Sequence, residues 1–373
     1  MNRKVIVKRT TLSGTPSTSS LRRSMGKARN RVTRSVGPPT LSDVATHAGV
    51  SRQTVSNAVN NPELLRPSTL VRVQSAIEEL GYSPNRAARN LRTQSSHLIG
   101  LRFSPAQEGT ANALMDRFVH TLVETSPTAG YHVLLFAGDA SDPEVGYEDL
   151  VRSNAVDAFV VTDTYLGSPQ ISWLTERGIP FVAFGRPWDS EDNTHPWVDV
   201  DGAAGSEMAT RHLLERGHHR IAWIGWRKDA RIGEDRRAGW LRAMHGAGLA
   251  TTGLASRVED SVWSGAEATA VLLDEAKPTA FVCASDTLAM GVYDTLNVRG
   301  MRPGHDIAVV GFDDSQVAQV VSPGLTSVRQ PLEQVAVEIV SAIRGLLARP
   351  PRQSEGVLLT PTLAIRGSSS YGH

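Results

Sequence analysis

Apolar residues recur at helical spacing in three short stretches between Thr40 and Leu80. In the first, Leu41, Val44, Ala45 and Ala48 fall on one face; Thr40 is placed to cap the start and Gly49 to end it. One turn later Ser51 can cap a second helix running to about Asn60. A third follows Pro67, carries Leu70, Val73, Ile77 and Leu80 on one stripe, and stops at Gly81. Three short helices with apolar stripes predict a compact all-α head built around a shared core.

Beyond Ser96 the texture changes to short apolar runs separated by helix-like segments. The runs predict strands at Leu98 to Phe103, His132 to Phe136, Ala158 to Val161, Phe181 to Phe184, Trp197 to Val200, Ile221 to Gly225, Ala280 to Ala284 and Ile307 to Phe312. Such alternation implies parallel sheets covered by helices on both faces, and its length suggests two similar α/β lobes. The pattern does not place the hinge between them. The pattern divides the chain into a disordered basic arm over 1–39, a helical head over 40–82, a short helix with linker over 83–97, a two-lobed α/β core over 98–366 and a flexible tail over 367–373. The arm is rich in Ser, Thr and Arg and has no acidic residue. A true start at Met25 would account for it equally well.

Charge sharpens this division. The overall +1 conceals 16 Lys/Arg against 4 Asp/Glu in residues 1–95, a net of +12, which leaves −11 for the remainder. The basic end can neutralise phosphates, whereas the acidic body is repelled by them. The single cysteine, Cys283, builds neither a disulfide framework nor a multi-cysteine metal site; it is expected in the core of a strand and fits a reducing cytoplasm. No apolar run approaches the roughly 20 residues needed to span a bilayer, and the start lacks a secretory signal, so the chain is expected to stay inside the cell without membrane contact.

Leu41 to Asn60 has helix-turn-helix spacing, with small Ala45 at the helix contact, Gly49 in the turn, and Val50 and Val55 packing inward. Arg52, Gln53 and Asn57 then face outward with the donors and acceptors that read guanine and adenine edges, although three polar residues on a helix are also what plain solvated surface looks like. After it, Ser83 and Pro84 can begin a short helix carrying Arg86, Arg89 and Arg92 around one large apolar residue, Leu91. That composition suits a minor-groove wedge, and suits equally a linker helix whose leucine packs on the core.

The run from Thr40 to Leu101 contains Leu-Ser-Asp-Val-Ala, Ala-Gly-Val-Ser, Thr-Val-Ser, Leu-Gly-Tyr-Ser-Pro-Asn-Arg-Ala-Ala-Arg and Leu-Ile-Gly-Leu. It closely resembles the head, hinge and first core strand of lactose/galactose repressor (LacI/GalR) family regulators. The likeness continues to about Ile365 through His212-Leu-Leu-Glu-Arg-Gly-His, Arg237-Ala-Gly-Trp240, Gly311-Phe-Asp-Asp314 and Pro323-Gly-Leu-Thr-Ser-Val-Arg-Gln-Pro331. The resemblance implies a helix-turn-helix DNA-binding domain over 40–82, a hinge helix with linker over 83–97, and over 98–366 a two-lobed effector-binding and dimerisation core like that of periplasmic binding proteins. It places Arg52 and Gln53 at the bases and Leu91 in the operator centre. The DNA-binding set expected from it is Ser51, Arg52, Gln53, Thr54, Ser56 and Asn57 in the head and Asn85, Arg86, Ala88, Arg89 and Leu91 in the hinge. Many members carry Arg where Asn57 stands, so the base preference there does not carry over.

In open α/β sheets ligands collect beyond the carboxyl ends of the strands. Asp163, Arg186, Asp201, Ser285, Asp286 and Asp313 follow expected strands, with Trp188, Trp226 and Trp263 near other strand or loop ends. Carboxylates and guanidinium forks bind adjacent hydroxyls and Trp faces cover sugar C–H surfaces, which points to a carbohydrate. Asp201 and Asp286 are read instead as helix caps. The resemblance implies effector contacts at Arg186, Arg236, Trp263, Ser285 and Asp313; its effectors are mostly sugars, with purines and nucleosides also represented.

His218 and His219 are adjacent and make poor metal partners, and neither a phosphate-binding glycine loop nor a nucleophile motif is present, so no catalytic residue, metal or cofactor is expected. The expected function is that of a nucleoid-associated, homodimeric repressor that binds two-fold symmetric double-stranded operator DNA and is controlled by a small effector, a sugar. The alternative is a two-lobed sugar-binding protein without regulatory DNA binding. A sugar-processing enzyme would need a paired acid and base in the cleft.

Overall fold

The computed structural model describes residues 38–83, 95–103, 113–138, 144–162, 164–165, 167–188, 195–227, 231–352 and 355–370. They fall into two compact units that divide between residues 85 and 86.

The first unit holds three helices, α1 (Leu41–Ala48), α2 (Arg52–Asn60) and α3 (Pro67–Leu80). Each boundary follows from local chemistry. Thr40 and Asp43 form a capping box: the Asp43 carboxylate accepts from the Thr40 backbone N–H at 2.7 Å while Thr40 Oγ1 accepts from the Asp43 N–H. Gly49 closes α1 in the left-handed region at φ 63°, where a Cβ would be strained. Ser51 then caps α2 by accepting from the Thr54 N–H at 3.1 Å, and Pro67 occupies the first turn of α3. Val44, Ala45, Ala48, Val55, Ala58, Val73 and Ala76 form the core, with Val50, Leu70, Ile77, Leu80 and Tyr82 packed at its margin. The small alanines let the helices approach closely.

The second unit contains two six-stranded sheets. The first runs in the order β11 (Val357–Leu359), β5 (Trp197–Val200), β4 (Phe181–Phe184), β3 (Ala158–Val161), β1 (Leu98–Phe103), β2 (His132–Ala137). The second runs β12 (Thr362–Ala364), β10 (Thr326–Arg329), β9 (Ala308–Phe312), β8 (Ala280–Cys283), β6 (Ile221–Trp226), β7 (Ala255–Val258). Among the described residues every strand pairing is parallel except that of β10 with β12. Central strands such as β3, β8 and β9 are buried throughout because helices cover both faces, which is why they read as continuous apolar runs.

The chain passes between the lobes after β5, after β10 and after β11. Helix Leu332–Leu346 returns to the first lobe, where Leu332, Val335, Ala336, Ile339 and Ile343 join Ile99, Leu101, Phe118 and Val160 in one core. Trp223 and Trp240 anchor the core of the second lobe, 6.4 Å apart between ring centroids. Helix Gly202–Leu214 packs on helix Arg231–Gly246 so tightly that a Cβ at Gly239 would strike the Ala203 carbonyl. Cys283 is fully buried in β8.

The expected strands all form, with ends shifted by one residue at β2, β6, β8 and β9. Sequence pattern missed β7, β10, β11 and β12. Two are only three residues long, β7 is a polar edge strand, and β10 begins Thr-Ser, where the Thr326 N–H donates to Ser368 Oγ, Thr326 Oγ1 accepts from the Ser369 hydroxyl and the Ser327 hydroxyl donates to Asp286.

Candidate functional site

In the head, Val55 and Ala58 hold α2 to the core, so its opposite face is turned to solvent. Ser51, Arg52 and Gln53 are exposed and Thr54, Ser56 and Asn57 half-buried. Ser51 and Thr54 are 2.9 Å apart through their hydroxyls, and Gln53 Nε2 donates to Asn57 Oδ1 at 3.0 Å, one helical turn away. Arg52 is the only charged side chain of the helix. Asn85, Arg86, Ala88, Arg89 and Leu91, the hinge residues expected at DNA, lie outside the described residues, as does Asp163.

In the second unit a cleft of about 670 Å³ lies where strands of both sheets end. Its first-lobe wall includes Thr164, Arg186, Trp188 and Asp199, and its second-lobe wall Trp226, Asp235, Arg236, Asp260, Asp313 and Gln330. Polar groups flanked by aromatic faces in a cleft of this size suit a small hydroxylated molecule.

Two guanidinium groups organise it. Arg186, in the turn after β4, donates through Nε to Asp199 at 2.7 Å and through Nη2 to Asp235 at 3.1 Å, so one side chain clasps both lobes. Burial raises the pKa of Asp235, against the pull of Arg186. Arg236 is buried and donates through Nη1 to the Ala284 carbonyl at 2.5 Å, while its plane lies 3.7 Å from the Phe312 ring and 4.9 Å from that of Trp226.

Asp313 stands at the end of β9 with φ 106°, outside the usual range of a residue with a side chain. Its Oδ1 accepts from Gln330 Nε2 at 2.7 Å and lies 3.5 Å from Arg236 Nη1. Burial pushes this carboxyl up to about 7, with Arg236 opposing and the Asp286 charge adding to the rise. Near neutrality it can therefore serve either as an acceptor or as a donor toward a hydroxyl.

Of the expected effector residues, Arg186, Arg236 and Asp313 line this cleft. Ser285 does not: it is buried, caps helix Asp286–Val298 by accepting from the Leu288 N–H, and donates to Asp260 Oδ1 at 2.5 Å. Its contact with the cleft lining is through that carboxylate. Trp263 is also absent from the lining; it stands 73% exposed at the start of helix Val262–Glu275, and Val262 faces the cleft in its place. Asp201 caps helix Gly202–Leu214 by accepting from the Ala204 N–H at 2.8 Å. Asp286 corrects its expected capping role, because Ser285 occupies the cap. The Asp286 carboxylate instead accepts from Ser315 N and Oγ and from Ser327 Oγ, tying together the loops after β8 and β9, and burial raises it to about 6.

Sequence reasoning missed Asp199, Asp235, Asp260 and Gln330. Asp199 is inside a strand, Asp235 is in the first turns of a helix, and Gln330 follows a strand that the pattern did not reveal. Gln330 belongs to the Val-Arg-Gln-Pro segment that carried the family likeness, and that was the available signal. Among the described residues no cluster of His, Cys, Asp and Glu could hold a metal, and His218 Nδ1 lies 3.0 Å from Thr279 Oγ1. No helix among them is long and apolar enough to cross a membrane.

Comparison with known proteins bears on both units. Residues 40–85 match the family described as bacterial regulatory proteins, lacI family, and residues 210–369 match the periplasmic binding protein-like domain. The HTH-type transcriptional regulator CelR of Thermobifida fusca is 34% identical over 340 residues, covering 88% of this chain and 98% of CelR. The ribose operon repressor of Escherichia coli K12 is 29% identical over 336 residues, covering 88% of this chain and 99% of that protein. Among solved structures, the CelR–cellobiose complex matches with TM-score 0.68 at 31% identity, over 88% of this chain and 99% of that one. The lac repressor dimer bound to operator and the anti-inducer ONPF matches with TM-score 0.74 at 26% identity, over 89% and 99%.

Proposed function

The chain belongs to the lacI family of bacterial regulatory proteins, and on that premise we propose that it is a transcription repressor whose grip on operator DNA is set by a sugar held in the cleft. One observation carries this reading: a single chain joins a helix-turn-helix, its second helix presenting Arg52, Gln53 and Asn57, to a cleft lined by carboxylates, guanidinium groups and tryptophans. A binding protein that only carried sugar would have no use for the first, and an enzyme has no counterpart in its named relatives, which are regulators.

Ser51, Arg52, Gln53, Thr54, Ser56 and Asn57 contact the major groove, and the basic hinge with Leu91 enters the minor groove. Two copies of the chain bind as a homodimer to a two-fold symmetric site in the cytoplasm, at the nucleoid. In the core, Arg186, Arg236 and Asp313 take the ligand hydroxyls, and the faces of Trp188 and Trp226 cover its carbon skeleton. Asp260, held by Ser285, completes the ring of acceptors. The named relatives support a sugar: one was solved with cellobiose and another is a ribose operon repressor.

Coupling runs through the Arg186 clasp. A ligand that competes for Asp199 or Asp235 alters the tie between lobes, and lobe closure changes the spacing of the two heads on DNA. A coupling of about 1–3 kcal/mol changes operator affinity roughly 5- to 150-fold. Mapping bound DNA across the genome, then titrating the recovered site with the sugars that the neighbouring genes process, tests the reading. A recovered inverted repeat whose occupancy changes with one such sugar is the expected result. DNA binding without sequence preference would refute it.

A further inference from the structure

The recognition helix carries a more specific message than its membership of a family of DNA readers. Its solvent face has one cation, Arg52, which is exposed and has no partner among the described residues. Beside it Gln53 and Asn57 are joined to each other, Gln53 Nε2 to Asn57 Oδ1 at 3.0 Å. The third amide, Asn60, is turned back along the helix and donates to the Ser56 carbonyl at 2.7 Å.

An amide pair consumes one N–H and one oxygen lone pair. Gln53 keeps its own oxygen and a second N–H, an adjacent acceptor and donor. In the major groove that pattern complements adenine, which offers the N6 amino group and N7; guanine offers two acceptors, O6 and N7, and is matched by a guanidinium. A free Gln side chain samples many rotamers, and fixing it costs conformational entropy. The bond to Asn57, which is itself half-buried on the helix, holds the Gln53 amide before DNA arrives. A second guanine would require another bidentate cation, which α2 does not have.

Resting on the assignment of this chain as an operator-binding regulator, we infer that each operator half-site carries one guanine read by Arg52 and, beside it, one adenine read by Gln53, with Asn57 as the positioning residue that fixes the Gln53 amide.

Selection from a randomised double-stranded DNA pool, using the full-length protein and its R52A, Q53A, N57A and N57D variants, tests this. The wild type should enrich an inverted repeat with a fixed G·C pair and a neighbouring fixed A·T pair in each half. Gln53→Ala and Asn57→Ala should each erase discrimination at the A·T pair, a loss of roughly 5- to 150-fold, and leave the G·C pair selected. Arg52→Ala should do the reverse. Asn57→Asp keeps an acceptor for Gln53, so it should retain the adenine preference at lower overall affinity. Two results would overturn the inference: an adenine preference that survives Asn57→Ala, or G·C selected at both positions by the wild type. Failure of the wild type to enrich any inverted repeat would instead remove the underlying assignment, and the inference with it.

Discussion

The Asp157 carboxylate accepts a hydrogen bond from the Ser96 backbone N–H at 2.6 Å. The same group also takes the Ser96 hydroxyl at 2.9 Å, the His97 N–H at 2.9 Å and the Ser95 hydroxyl at 2.5 Å. Asp157 immediately precedes β3, and these donors immediately precede β1, so one side chain pins the chain where it enters the sheet.

Asp157→Ala should therefore destabilise the core, by roughly 2 kcal/mol or more, because charge-assisted hydrogen bonds contribute about 1.5–3 kcal/mol each and the stranded donors are half-buried. Since Ser95 follows the segment expected to form the hinge, the variant should also respond less to effector. Chemical denaturation and an operator titration with and without sugar measure the two effects. Full stability with full response would show that the pin is dispensable.

The head and the central strands were legible in the sequence because their signals are local. Thr40, Gly49, Ser51, Pro67 and Gly81 each mark a helix boundary through their own backbone chemistry. Runs such as Ala158 to Val161 reveal strands buried on both faces. The cleft was legible only in part, because it is assembled from distant segments. Arg186 was visible as a polar residue after a strand, but its partner Asp235 lies 49 positions away within a helix. Trp263, expected at the ligand from the family likeness, stands 73% exposed at the start of helix Val262–Glu275 and outside the cleft lining, a placement that residue order alone does not reveal. Likewise Asp286 has the composition of a cap, and only the preceding Ser285 shows why it is free for another task.

Asp313 makes the stability of the core depend on pH in a defined direction. Its folded pKa, about 7, lies above the ordinary carboxylate value near 3.9, so the fold favours the protonated form. Its stabilising contribution is complete below pH ~4 and is lost as pH rises through ~7. Asp313→Asn, which keeps an oxygen for Gln330, should raise the melting temperature relative to wild type more at pH 8 than at pH 5. A difference that does not change between those pH values would place the ionisation elsewhere.

Gly239 is set by the crossing of two helices. Because any Cβ there meets the Ala203 carbonyl and the Glu207 backbone N, Gly239→Val should push helix Gly202–Leu214 off helix Arg231–Gly246. Overpacking of this kind costs about 1–3 kcal/mol, and more where backbone must move. The displacement carries with it Ala203, whose N–H donates to Asp235 at 3.0 Å, so sugar binding should weaken too. Calorimetric unfolding and a ligand titration on the same preparation would detect both; a variant as stable as wild type would contradict the packing argument.

The central claim is that ligand in the cleft governs a DNA-binding head elsewhere in the chain, and Asp313→Ala tests it most directly. The measurement is the affinity for the recovered operator, by fluorescence anisotropy, with and without the cognate sugar, for wild type and variant side by side. On the proposed assignment, removing the carboxylate leaves ligand hydroxyls unpaired in the cleft, while the head, a separate compact unit, keeps its fold. Equal operator affinity without sugar, a roughly 5- to 150-fold shift for the wild type with sugar, and no shift for the variant are expected. A variant that responds to sugar as the wild type does would contradict the claim.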